Sequence, residues 1–170
     1  MSNFKRISTF DLSDNFFSSF ANDWTLITAM KPTGKINTMT ASWGGIGNMW
    51  SKPVFTCVIR PQRYTFEFTE NADFITLSFF GRGYRKELNL CGSKSGRDMD
   101  KIAAAGFTVI KENGAAYFEE ASLVLIGKKV YSDWLKKECF TDTSFAADIY
   151  PSGDFHKFYV CTIEKALVKQ

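Results

Sequence analysis

A single histidine, His156, occurs in 170 residues, and no G-x-S-x-G accompanies it, so serine-hydrolase chemistry has no specific signature here. Nucleotide fingerprints are missing too. Neither G-x-G-x-x-G nor G-x-x-x-x-G-K-[ST] occurs, although Gly45-Ile46-Gly47 and Gly81-Arg82-Gly83 offer fragments, which argues against a Rossmann NAD enzyme or a P-loop. The four cysteines, Cys57, Cys91, Cys139 and Cys161, form no CxxC pair and have no histidine at ligand spacing, so a zinc site is not expected. Cys57 and Cys161 sit in apolar runs and read as small buried hydrophobes, and packing is also the favoured role of Cys91. No apolar stretch approaches membrane-spanning length and no leader pattern opens the chain, which makes a soluble cytoplasmic protein the expectation, without a membrane partner. The net charge of +3 is too slight for a nucleic-acid partner and better suits a small anionic ligand. Internal repeats, linkers and low-complexity segments are absent, and the length fits one domain over residues 1–170.

What the chain has in excess is phenylalanine, 17 in all. Aromatic side chains bury large areas and favour strands, so the excess points to a β-rich core and to a flat ligand. Phe16, Phe17 and Phe20 mark a short amphipathic element. Strand-like runs follow at Trp24 to Met30, Ile36 to Trp43, Val54 to Arg60, Asp73 to Phe80, Phe107 to Ile110, Ala115 to Glu119, Ala121 to Tyr131 and Lys157 to Val168. Gly44, Gly45 and Gly47 read as the break after the second of these. Helical signals are fewer: Tyr84 to Leu90, and Ser95 to Ala105 with Ser95 and Asp98 at its start and Gly106 as its stop. Many strands without β-α alternation predict a mainly β protein with a few short helices, built as a barrel or sandwich.

Three segments carry polar chemistry. In Asn37-Thr38-Met39-Thr40-Ala41-Ser42-Trp43, small residues let a flat ligand approach the backbone, Asn37, Thr40 and Ser42 offer donors and acceptors, and Trp43 offers a wall. An ordinary amphipathic strand with a core Trp is the competing reading. In Arg60-Pro61-Gln62-Arg63-Tyr64-Thr65, two arginines and a hydroxyl can converge on one anion, against the alternative of two surface arginines. In Cys91-Gly92-Ser93-Lys94-Ser95-Gly96-Arg97-Asp98, a Gly/Ser loop entering a helix, with Lys94, Arg97 and Lys101 nearby, favours an anion, against a merely well-capped helix.

Taken in order, "NTMTASWGGIG", "KPVFTCVIRPQRYTFEF", "ITLSFF", "LNLCGSKSGRDMDKIAAAGFT", "EEASLVL" and "GDFHKFYV" resemble the flavin reductase-like, FMN-binding split-barrel family, in particular its flavoredoxin-type branch. The resemblance implies a split β-barrel holding one FMN, usually as a homodimer with the flavin near the subunit interface. It places Asn37, Thr40, Ala41, Ser42 and Trp43 along the isoalloxazine. Arg60, Arg63, Tyr64, Thr65, Ser95 and Lys101 fall at the ribityl phosphate, and Ser78 and Phe79 line the pocket. In related reductases a Gly-Asp-His element lies near the nicotinamide. Here Phe155 intervenes in Gly153-Asp154-Phe155-His156, so a hydrogen bond from His156 to Asp154 or a carbonyl competes with a nicotinamide or flavin contact.

The implied activity is electron transfer from NAD(P)H through FMN to a free flavin, a partner protein or another acceptor. No side chain is required as acid or base, so no catalytic residue is named. Two alternatives stand beside it: a flavoredoxin-type carrier reduced by a redox partner protein, and a non-catalytic flavin- or heme-binding module.

Overall fold

Strand-forming residues dominate the chain, and in the computed structural model, which describes residues 3–170, they make ten strands. These are β1 (Phe4–Ile7), β2 (Thr25–Met30), β3 (Ile36–Ala41), β4 (Gly44–Met49), β5 (Lys52–Ile59), β6 (Phe74–Phe79), β7 (Val109–Glu112), β8 (Ala115–Phe118), β9 (Leu123–Trp134) and β10 (Lys157–Lys169). Five short helices accompany them: α1 (Phe16–Ser18), α2 (Tyr64–Asn71), α3 (Arg85–Ser93), α4 (Lys101–Ala104) and α5 (Thr143–Ile149). None of the described helices is long and apolar enough to cross a membrane.

The main sheet runs β3-β2-β6-β9-β10-β5-β4, with β1 added on β10. The length of β10 explains the split. Its first half pairs with β5, from Lys157↔Ile59 to Thr162↔Val54, and its second half pairs with β1, from Ala166↔Ile7 to Lys169↔Phe4. The sheet curls around a core that includes Ile27, Met39, Phe55, Cys57, Ile75, Leu77, Leu125 and Tyr159. Period-two alternation puts these side chains on one face. A second cluster, with Leu26, Phe80, Leu88, Phe107, Phe118 and Val124, packs the β7–β8 hairpin and α3 against the other face. The phenylalanines concentrate in these layers: Phe107 stacks on Phe80 at 5.0 Å, and Phe20 meets Phe79 edge-on at 5.4 Å.

Three expectations are corrected. The glycine tract is not a break: Gly44–Met49 is a strand, paired from Gly44↔Cys57 to Met49↔Lys52. A Cβ on Gly44 would lie 2.6 Å from the Thr56 carbonyl oxygen and 2.8 Å from the Phe20 ring, so glycine lets the strand pass there. The helix expected from Ser95 starts only at Lys101, because the Asp100 Oδ1 accepts from Ala103 N at 3.0 Å and caps it. Gly92 and Ser93 belong to the last turn of α3. Finally, α2 and α5 occupy segments in which no helix is expected.

The cysteines pack as anticipated. Cys57, Cys91 and Cys161 are buried and free, and Cys139 is exposed and free. Burial pushes the Cys91 thiol up to about 11 and that of Cys161 up to about 12, so both stay protonated and unreactive. Among the described residues no group of His, Cys, Asp or Glu could hold a metal.

Candidate functional site

Strand β3 is one end of the sheet, and its C-terminal half forms one wall of a cleft of about 240 Å³. Met39, Thr40, Ala41, Ser42 and Trp43 line it from that side, and Val58, Arg60, Arg63 and His156 from the other. Small side chains on β3 and a half-exposed Trp43 leave a slot suited to a flat ring. The Thr40 hydroxyl donates to the Leu88 carbonyl, which ties β3 to α3 and leaves the hydroxyl oxygen to accept.

The turn Arg60-Pro61-Gln62-Arg63 delivers two arginines with different fates. Arg60 donates to the Asp154 carboxylate and, at 3.0 Å, to the Ile149 carbonyl, with its guanidinium over the Tyr150 ring at 5.2 Å. Its donors therefore hold the segment between α5 and β10. The Gln62 amide also donates to Asp154, at 2.6 Å, and these two bonds hold the carboxyl below its ordinary range.

Arg63 is different. It caps α2 without a side-chain bond to the helix, it is half-buried, and its guanidinium has no hydrogen-bond or ion-pair partner among the described residues. Burial pulls its pKa down. Buried charge without a partner is costly, so this guanidinium fits an anion brought by a ligand. The first N–H groups of α2, an eight-residue helix, lie beside it and favour the same charge.

Lys101 reinforces that field. It is 3% exposed, and its Nζ donates to the Cys91 carbonyl at 2.9 Å and the Lys94 carbonyl at 3.2 Å, closing the end of α3. Burial is the main cause that lowers its pKa to about 8, with repulsion from Arg63 adding to it. Two half-buried or buried cations near each other, with no ion pair to a carboxylate among the described residues, are the donor set expected for a phosphate.

The remaining expected residues are placed as follows. Asn37 is buried and its amide donates to the Thr65 hydroxyl at 2.9 Å, joining β3 to α2. Tyr64 accepts from Lys35 at 3.0 Å and lies under Arg97, so it buttresses the turn rather than lining the cleft. The Ser95 hydroxyl accepts from Arg97 N at 3.1 Å. Gly96 packs so closely that an added Cβ would sit 2.2 Å from Asn37 Oδ1, which puts this loop against the Asn37–Thr65 pair. Ser78 and Phe79 do not line the cleft. They are buried, alternate on β6, and Phe79 points into the barrel core against Phe16 and Phe20.

His156 is the addition. Its Nδ1 is 2.7 Å from the Tyr150 hydroxyl, not bonded to Asp154, and its ring lies 5.1 Å from Trp43. Burial, then the Arg60 charge, lowers its pKa to about 4, so the ring is neutral at pH 7. Met39 and Val58 also reach the cleft. Their signal was the alternation of their strands, which does not say which alternate residues face a cleft at the sheet's end.

Residues 17–164 match the model of the flavin reductase-like domain, and the chain belongs to that family. Its fold is the split barrel. Among solved structures it is similar to the flavoredoxin of Desulfovibrio vulgaris (Miyazaki F), with a TM-score of 0.68, 19% identity, and 86% of this chain and 69% of that one covered. A flavoredoxin from Methanosarcina acetivorans matches with a TM-score of 0.65 and 24% identity over 85% of this chain and 67% of that one. The FMN-binding domain of a flavin reductases-like enzyme from Shewanella baltica OS155 matches with 0.67 and 15% identity, over 99% and 78%. No curated protein matches the sequence.

Proposed function

We propose that the cleft holds FMN and that the protein is an oxidoreductase passing electrons from NAD(P)H to a free flavin or another acceptor. The observation that carries this reading is Arg63, a half-buried cation without an ion-pair partner among the described residues, which lines a slot walled by Thr40, Ala41, Ser42 and Trp43 and lies near enough to buried Lys101 to repel it. Arg63, Thr65 and the start of α2 would hold the phosphate. Thr40 to Trp43 would line the ring. Bound there, FMN supplies the hydride and electron chemistry that no side chain of this chain can supply.

The chain's own part is to bind, orient and exclude water. Positive charge at Arg63 and Lys101 favours an anionic ligand and stabilises negative charge that develops near it. Neutral His156, steadied by Tyr150 and packed on Trp43, can donate or accept one hydrogen bond in the cleft without bringing a charge. Protonation of this ring would add a third cation to the site. Its low pKa prevents that above about 4.

The protein is also proposed to act as a homodimer. Strand β4 ends the sheet and carries no charged residue, while its own Met49 and the flanking Trp43 and Trp50 are 41%, 45% and 59% exposed. An uncharged, glycine-rich edge with large exposed side chains is unprotected against pairing unless a second copy covers it. Free cysteines, including exposed Cys139, suit a reducing cytoplasm.

The test is the visible spectrum of the purified protein before and after anaerobic addition of NADH or NADPH. Flavin absorption that bleaches promptly supports the reductase. Flavin absorption that neither nicotinamide bleaches, but a redox partner protein does, replaces it with a flavoredoxin-type carrier. Absence of flavin binding on titration with FMN refutes both.

A further inference from the structure

Between β9 and β10 the chain leaves the sheet, forms α5 and returns to the cleft at His156. Tyr150, which ends α5, is held on every side of that excursion. Its ring stacks on Phe155 with centroids 4.6 Å apart, and the Arg60 guanidinium lies over it at 5.2 Å. Its backbone N–H donates to the Ala146 carbonyl at 3.2 Å, and its carbonyl accepts from Gly153 N at 3.0 Å. A ring fixed by stacking and by both backbone groups has little freedom in where it puts its hydroxyl. That place is 2.7 Å from His156 Nδ1.

His156 is buried, stands beside the Arg60 charge and is bonded to no carboxylate, so its ring is neutral at pH 7. A neutral imidazole carries one proton on one of its two nitrogens, and the tautomer decides whether the cleft meets a donor or an acceptor. Satisfying the phenol decides the tautomer. Tyr150 is 6% exposed, and its hydroxyl is bonded only to Nδ1 among the described residues. If Nδ1 carried the proton and donated to the phenol oxygen, the phenolic hydrogen would be buried without an acceptor, the costlier arrangement. The Asp154 carboxylate does not supply one, since it accepts from Arg60 and Gln62 and not from the phenol. With the O–H donating to Nδ1 both groups are satisfied, and the imidazole proton sits on Nε2. That nitrogen has no hydrogen-bond partner among the described residues, and its ring lines the cleft against Trp43.

We propose that Tyr150 is a positioning residue: its O–H donates to Nδ1, fixes His156 as the Nε2–H tautomer, and so presents an uncharged N–H donor to a carbonyl oxygen or bare ring nitrogen of the molecule in the cleft. Two sources carry such an acceptor, the flavin ring and a reactant laid beside it. The donor role rests on the flavin reading of the cleft, whereas the tautomer does not. An N–H fixed in this way favours an acceptor over a second donor at that end of the slot, and it adds no charge to the field of Arg63 and Lys101.

Because His156 is the sole histidine, NMR of protein grown with ring-nitrogen-labelled histidine reports this one imidazole. The flavin-free wild type at pH 7 should show the proton on Nε2 and a bare Nδ1, with the Tyr150 hydroxyl proton correlated to Nδ1 across the hydrogen bond. Tyr150→Phe, which keeps the stack on Phe155, should lower the ratio of the Nε2–H to the Nδ1–H tautomer by about threefold or more while still melting cooperatively. Adding FMN should shift Nε2 and its proton and leave Nδ1 bare. A shift that appears only when oxidised NAD joins bound FMN assigns the acceptor to the reactant instead of the flavin. A proton on Nδ1 in the wild type, or an unchanged ratio in folded Tyr150→Phe, overturns the positioning role; if that variant fails to fold, the hydroxyl correlation in the wild type decides. An Nε2 signal unmoved by FMN that does bind, with or without oxidised NAD, overturns the donor role. If FMN does not bind, the flavin reading and the donor role fall together, and the tautomer is still judged on its own signals.

Discussion

Arg60 and Arg63 are three residues apart on one turn, yet their surroundings give them separate tasks. Arg60 meets Asp154 and the Ile149 carbonyl, whereas Arg63 meets no acceptor among the described residues. Arg63→Ala is therefore expected to weaken FMN binding by roughly tenfold to a hundredfold, the worth of a hydrogen bond to a charged group at about 1.5–3 kcal/mol. Arg60→Ala should change FMN affinity far less and lower the melting temperature instead, because it releases the segment that carries α5. Isothermal titration and thermal melts of the two variants side by side check this pair, and equal losses of FMN affinity would contradict it. The sequence presents both residues as phosphate ligands, since spacing shows that two arginines can converge but not which one is already taken.

Lys101 sets the expected pH dependence. With its pKa lowered to about 8 by burial and by Arg63, it carries its charge fully only below that value. A bound phosphate favours the charged form, so FMN affinity should be nearly constant from about pH 7, where the phosphate is already mostly dianionic, to about 7.5 and fall as pH rises through about 8 and above. Lys101→Met should remove that fall and weaken binding at pH 7. An affinity flat to pH 9.5 in the wild type would show that Lys101 does not sense the phosphate.

At the scale of elements, the site depends on packing between β3, α2 and the loop after α3. Gly96 is the tightest point. Gly96→Ala places a Cβ where Asn37 Oδ1 now lies, and the Asn37–Thr65 bond must yield. Reduced FMN affinity together with a lower melting temperature is the expected result, and a neutral outcome would mean that the loop shifts freely. The helix signals show why this region was only partly legible. Ser95 and Asp98 carry the spacing of a helix start, but Asp100, two residues later, makes the cap, and Asp100→Ala should cost about 1 kcal/mol of stability by chemical denaturation. Helix α2 was hidden because Tyr64, Thr65, Phe66 and Phe68 are strand-favouring residues. Burial of Thr65, Phe68 and Thr69, on one face of α2, overrides their propensity. The long strands β9 and β10 were legible because their alternation continues for many residues.

At the scale of the molecule, the sheet ends decide the assembly and the site together. One end, β3, borders the cleft, and the other, β4, is the bare glycine-rich edge. Trp50→Glu is expected to shift the protein from dimer to monomer in analytical ultracentrifugation, since it puts a charge at an exposed aromatic beside that edge. A wild type that sediments as a monomer at micromolar concentration would rule out the proposed pairing.

The amino-acid sequence by itself determined the β-rich class, most of the strands, the packing role of the cysteines and, through motifs kept in order, the family. These follow from short-range regularities: period-two alternation, turn residues and fixed spacings, each readable within a few neighbours. Only the tertiary structure decided that Arg60 is spent on Asp154 while Arg63 has no ion-pair partner among the described residues, that Ser78 and Phe79 are buried away from the cleft, and that His156 stands against Trp43. Those outcomes depend on pairs such as Arg60 with Asp154 and Trp43 with His156, about a hundred residues apart. Long-range pairing is fixed by the closure of the sheet, which brings β3, β5 and the entry to β10 to one end of the barrel.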